Sequence, residues 1–103
     1  MKKTKEDMQS EILSAISHPN RIRILKSLRK KILCNCELMP LLGLEQSNLS
    51  RHLKSLENAG IIVSWKEGLR VNYKVTDIKI FDILDIAEKV VGQKIKNLRK
   101  IKF

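Results

Sequence analysis

At 103 residues the chain has room for one domain around one modest core. Hydrophobic residues make up 43% of it, which excludes a disordered chain, and four Gly and two Pro leave that core to be built mainly from helices. Lys and Arg outnumber Asp and Glu by 21 to 11, a net charge of +10, and the excess favours a polyanionic partner, either nucleic acid or an acidic membrane surface.

The opening residues, Met1 to Asp7, are charged and no apolar run follows them. Neither a signal peptide nor a membrane span is expected. In a cytoplasmic protein, Cys34 and Cys36 are expected to be reduced. Asp7 to Ile16 reads as a short helix, with Met8, Ile12 and Ile16 at four-residue spacing. After the break at Ser17-His18, Pro19 suits the first turn of a second helix running to about Lys30. Its buried side is Ile22, Leu25 and Leu28, with Ile24 flanking. Its outer side collects Arg21, Arg23, Lys26, Arg29, Lys30 and Lys31 without an acid among them. That run is either a phosphate-facing surface or an ordinary solvated face.

Asn35 can cap a third helix that runs through Glu37 to Leu42, is distorted by Pro40 and is ended by Gly43. A fourth follows from about Ser47 to Asn58, capped by Ser47 or a residue upstream, and Gly60 ends it. Ile61 to Lys66 and Arg70 to Val75 flank Glu67-Gly68 as a β-hairpin. Thr76 or Asp77 then caps a long last helix. Its stripe of Ile80, Phe81, Leu84, Ala87, Val91, Ile95 and Leu98 is too long for so small a body to bury, and a two-fold seam is its natural use. A second basic cluster (Lys89, Lys94, Lys96, Arg99, Lys100, Lys102) closes the chain.

On the fourth helix, Leu49, Leu53 and Leu56 fall within about 60° of one another and face the core. Ser47, Arg51, Lys54 and Asn58 fall opposite, flanked by Asn48, Ser50 and Ser55. Short polar side chains let a helix approach base edges. Arg51 can fork onto guanine, Asn48 can pair with adenine, and Lys54 suits phosphate. Lys66, Arg70 and Lys74 would touch backbone or minor groove beside it. His52 lies between the two faces and is read as structural.

His18-Pro19-x-Arg21-x-x-Ile24-Leu25, Gln46-Ser47-x-Leu49-Ser50-Arg51-His52-Leu53-x-x-Leu56, Ala59-Gly60-Ile61-Ile62, Glu67-Gly68 and Tyr73 together resemble the ArsR/SmtB family of winged-helix repressors. The resemblance implies a mainly α winged helix-turn-helix in one domain, residues 1–103. The helix-turn-helix would span about 36–59, the wing about 61–76 and a dimerisation helix about 77–100. It implies a homodimer through the first and last helices (Ile12, Phe81, Leu84, Val91, Ile95, Leu98). It implies binding of an inverted repeat in double-stranded promoter DNA, with Gln46 joining the contacts above. A bound metal or metalloid ion would release the DNA.

Leu33-Cys34-Asn35-Cys36-Glu37-Leu38 resembles the family's arsenic-type signature, in which a third cysteine follows three residues after the second. Met39 stands there instead, as a weaker neutral thioether donor. Arsenite, antimonite or another soft ion is thus the expected effector, held by Cys34 and Cys36 with a hydroxide or external thiol completing the site. Redox sensing by the pair, or two merely apolar side chains, are the alternatives. The last helix has no histidine, so no zinc or nickel site is expected on it. A rival function is a winged helix that docks on protein, or a DNA binder without an effector. No phosphate-cradling loop or nucleophile–base set is evident, and an enzyme is not expected.

Overall fold

The structure, a computed structural model, describes residues 2–100, so Lys102 of the closing basic cluster lies outside the described residues. The elements run α1 (Lys5–Ile16), α2 (Pro19–Ser27), β1 (Leu33–Cys34), α3 (Asn35–Leu42), α4 (Gln46–Asn58), β2 (Ile62–Glu67), β3 (Arg70–Val75) and α5 (Lys79–Lys100). The mainly helical chain with one hairpin agrees with the sequence reading. The strand β1 is an addition to it. Leu33 pairs with Tyr73 and Cys34 with Asn72, making an antiparallel sheet of order β1-β3-β2.

Several boundaries move for identifiable reasons. Thr4 and Asp7 form a reciprocal capping box, so α1 starts at Lys5, upstream of the expected Asp7. His18 caps α2, its Nδ1 accepting from the Asn20 N–H, and Pro19 fills the first position. That helix stops at Ser27, not Lys30, because Lys30 takes a left-handed φ of 56° and turns the chain into β1. The expected cap Asn35 is the first helical residue of α3. Cys34 is the cap, with its N–H donating to the Glu37 carboxylate at 3.0 Å. Gly43 ends α3 at a φ of 66°. Glu45, upstream of Ser47, caps α4. At the start of α5 the Asp77 carboxylate accepts the Lys79 N–H at 2.9 Å, while the Thr76 hydroxyl donates to the carbonyls of Gly60 and Ile61 and closes the hairpin base.

The core gathers Ile24 and Leu25 of α2 with Leu28 just past its end, Leu38 and Leu42 of α3, Leu49, Leu53 and Leu56 of α4, and Ile80, Phe81 and Leu84 of α5, with Ile61, Ile62 and Val75. Each fully buried leucine stabilises the fold by roughly 1.5–3 kcal/mol. Further along α5 the body ends. Val91, Ile95 and Leu98 remain 54%, 45% and 70% exposed, as the length of the stripe requires. Ile86 and Val90 on α5 and Met8 and Leu13 on α1 are exposed too. Among the described residues no helix is long and apolar enough to cross a membrane.

Of the basic run on and after α2, Arg23, Lys26, Arg29, Lys30 and Lys31 stand exposed, as a solvated face requires, and Arg21 is half-buried. Four of its six cations brace neighbouring elements. Arg23 donates to the Leu42 carbonyl at 2.9 Å and so closes the end of α3. Lys26 meets Glu88 at 3.3 Å, and Arg29 forks onto both oxygens of Asp85 at 2.8 and 2.6 Å. The Arg29 fork holds the Asp85 carboxyl below the usual carboxylate range. The fourth, Arg21, supports the candidate interface.

Candidate nucleic-acid interface

The surface begins with the two-sided composition of α4. Leu49, Leu53 and Leu56 are 1%, 2% and 0% exposed, which fixes the rotation of the helix about its axis. With them inward, Gln46, Ser47, Ser50, Arg51, Lys54 and Asn58 stand exposed, and Asn48 and Ser55 are half-buried at the flanks. The Arg51 guanidinium donates to Asn48 Oδ1 at 3.0 Å, so one turn of helix presents a joined cation and amide. This face borders an open concavity of about 590 Å³, whose other wall is His18, Asn20 and Arg21. The sequence-expected residues of α4 therefore share one cationic surface.

His52 sits behind that surface, 7% exposed, packed on His18 with ring centroids 4.4 Å apart. Its Nδ1 accepts from Arg21 Nε at 3.1 Å, and the same guanidinium donates to the Ala15 carbonyl at 3.1 Å. The structural reading of His52 agrees with this contact. Burial pushes its pKa down, and the nearby charges of His18, Arg21 and Arg51 push in the same direction. A neutral ring is what the Arg21 contact needs, because only an unprotonated Nδ1 accepts. Sequence reasoning counted Arg21 among a charge run and missed this role. The signal lay in the His18-Pro19-x-Arg21 motif, but its partner is 31 residues away.

In the hairpin, Val63 stands opposite Lys74, Trp65 opposite Asn72, and Glu67 opposite Arg70. Paired residues share a face, so Arg70 and Lys74 lie on one face of the ribbon and Lys66, opposite Val71, on the other. All three are exposed. Arg70 reaches back to α3, where its guanidinium meets Glu37 Oε1 at 3.0 Å and Cys34 Sγ at 3.3 Å. It joins the hairpin to the cysteine pair.

That pair is where the structure departs most from expectation. Cys34 and Cys36 are joined as a disulfide, with Cα atoms 5.2 Å apart, instead of standing as two reduced thiols. The geometry is available because Cys34 belongs to β1 and caps α3, so the backbone has left helix between the two residues. In this form neither sulfur is a thiolate ligand. Cys34 is buried and Cys36 exposed, while Met39 packs against the core. Among the described residues no group of three or more His, Cys, Asp or Glu is placed to hold a metal ion. Beside the pair stand the first turn of α3 and the Arg70 guanidinium, which Glu37 shares.

A family model described as "Bacterial regulatory protein, arsR family" matches residues 18–64, which run from the cap of α2 into β2. An uncharacterised HTH-type transcriptional regulator of Mycobacterium tuberculosis, Rv0081, is 33% identical over 87 residues, 84% of this chain and 76% of that protein. Its crystal structure matches with a TM-score of 0.80 at 30% identity, over 93% of this chain and 97% of that one. The cadmium resistance transcriptional regulatory protein CadC of Listeria innocua is 30% identical over 79 residues, 76% of this chain and 66% of that protein. The solution structure of a homodimeric winged helix-turn-helix DNA-binding domain from Mycobacterium bovis shares the fold, with a TM-score of 0.78 at 17% identity over 89% and 85% of the two chains.

Proposed function

The chain belongs to the ArsR family of winged helix-turn-helix transcriptional regulators, and we propose that it works as a homodimeric repressor of promoter DNA. The relatives it resembles are transcriptional regulators, not enzymes. In the proposed complex α4 enters the major groove. Arg51, held by Asn48, reads a guanine edge, and Ser47, Ser50 and Ser55 permit close approach. Gln46 and Lys54 meet the backbone, as do Lys66 and Lys74 on the wing. One observation carries this reading: the leucines of α4 are sunk in the core while its polar and basic residues stand free together.

The dimer is supported by the exposed Val91, Ile95 and Leu98 of α5 and by Met8 and Leu13 of α1. Two-fold symmetry calls for an inverted-repeat operator with half-sites about one helical turn apart.

The proposed effector is a soft ion, arsenite, antimonite or a similar species, bound by Cys34 and Cys36 once the disulfide is reduced. Two external thiols, or a phosphine with water, supply the two electrons and two protons of that step. An ion on the sulfurs would act on α3, the helix before α4, and on the wing through Arg70. By linkage it must bind the DNA-free form more tightly, and a coupling of about 1–3 kcal/mol weakens DNA binding roughly 5–150-fold. The observed disulfide favours a second reading, in which oxidation of the pair is itself the signal.

Anisotropy of labelled promoter DNA decides between these readings. The protein is titrated reduced with a phosphine and then oxidised, each with and without arsenite, antimonite or Cd(II). Release of DNA by an ion from the reduced protein alone supports the soft-ion reading. Loss of affinity on oxidation without any ion supports the redox reading. DNA binding indifferent to both removes the pair from the function.

A further inference from the structure

Between the end of α2, the turn into β1, the end of β3 and the start of α5 lies an apolar hollow of about 310 Å³. Leu28, Val75 and Phe81 form its floor, and Ile32 and Ile78 stand beside it 53% and 79% exposed. Lys30, Lys31 and Lys74 surround it. Among the described residues none of these three ammonium groups is paired with a carboxylate, although the neighbouring Lys26 and Arg29 both are. Gathered cations repel one another, and an anion placed among them relieves the repulsion. Lys30 stands there on a backbone at φ 56°, a conformation ordinarily left to Gly or Asn.

A second apolar hollow, about 230 Å³ between α2 and α5, makes the contrast. Ile22, Leu84 and Val91 line it, and its rim charges, Lys26 and Glu88, neutralise each other. That one suits the oily face of another helix. The lysine-rimmed hollow asks for a ligand both oily and negative.

We propose that this hollow binds a small amphiphilic carboxylate, its apolar body on Leu28, Val75 and Phe81 and its carboxylate among Lys30, Lys31 and Lys74. The volume lies at the lower end of small-molecule sites, about 300–1,000 Å³. At roughly 30 Å³ per non-hydrogen atom, the volume of one liquid water, it holds about ten such atoms. Octanoate has that size. A DNA phosphate carries the charge but has nothing to lay on the apolar floor. Lys74 also belongs to the proposed DNA face, so an occupied site would draw one cation from the wing. That consequence rests on the DNA reading. Binding itself is measured without DNA, so the two can fail separately.

The test titrates octanoate into the full chain, read by calorimetry and by methyl NMR. One saturable site per chain is expected, with shifts centred on Ile32, Val75 and Ile78. Octanol and octyltrimethylammonium should bind about tenfold or more weakly, because they lack the charge-assisted contacts. Lys30→Gln with Lys31→Gln should weaken octanoate about tenfold and leave octanol unchanged. Ile78→Asp, at an exposed position that does not threaten folding, should weaken both. Equal affinity for octanol and octanoate, indifference to the lysine changes, shifts centred elsewhere, or absence of saturation would each overturn the proposal. So would displacement of octanoate by an equal concentration of inorganic phosphate.

Discussion

Arg21→Ala should be far more damaging than its place in a surface charge run implies. The guanidinium makes two hydrogen bonds, to His52 Nδ1 and to the Ala15 carbonyl, each at 3.1 Å. Contacts with a charged donor contribute about 1.5–3 kcal/mol each, less where water competes, and Arg21 is only half-buried. Removing it also strands the buried His52 nitrogen. The expected loss is about 2–3 kcal/mol, set against a total stability of about 5–15 kcal/mol. Urea titration followed by circular dichroism measures it as a lower midpoint at unchanged slope. A pH series gives the second arm. His52 has a depressed pKa in the folded protein, so the unfolded chain takes up its proton first. Its contribution is complete above the ordinary histidine value near 6.5 and is lost as pH falls through the depressed one. His52→Gln, which retains an acceptor, should flatten that dependence. A loss below about 0.5 kcal/mol for Arg21→Ala, or an unchanged pH profile in His52→Gln, refutes the account of this contact.

Arg51→Ala should cost about 1–3 kcal/mol of operator affinity and relax selectivity at one base pair; a gel-shift series over single-base operator variants reads it, and unchanged affinity contradicts the groove assignment. Cys34→Ser with Cys36→Ser should keep DNA binding while abolishing release by a soft ion, and an anisotropy response that persists locates sensing elsewhere. Ile95→Glu on α5 should shift sedimentation toward a monomer and remove the rise of melting temperature with protein concentration; a dimer that survives moves the seam off this stripe. The logarithm of the affinity for duplex DNA should fall linearly with log salt, at a slope set by the number of phosphates met, whereas a protein-docking module would show no such slope on DNA.

What was legible in the chain is what repeats locally. Leu49, Leu53 and Leu56 recur at helical spacing, and that spacing alone settles which side of α4 faces outward. Gly43 and Gly60, both at positive φ, punctuate the helices where their identity says they should. Contacts that depend on distant segments were not legible. Arg21 and His52 meet only after α2 and α4 pack, and Arg29 finds Asp85 across 56 residues. A two-residue strand such as β1 shows no period, so neither its pairing nor its effect on Cys34 could be read. Taking Asn35 as the cap put the helix start one residue late. Cys34 ends β1 and caps α3, so the chain passes from strand to helix between the two cysteines and the sulfurs join.

The fork from Arg29 to Asp85 has a mechanical meaning for the proposed dimer. Being exposed, the pair adds little by itself, and it acts with the buried Ile80, Phe81 and Leu84 to seat the rod that would carry the seam against the body beneath the reading head. Each protomer then behaves as a stiff caliper arm, and the gap between the two tips is set at the seam, not at the DNA. Such a tool tolerates a changed base more readily than an inserted one, because an extra step rotates one half-site away from a tip that has no joint with which to follow.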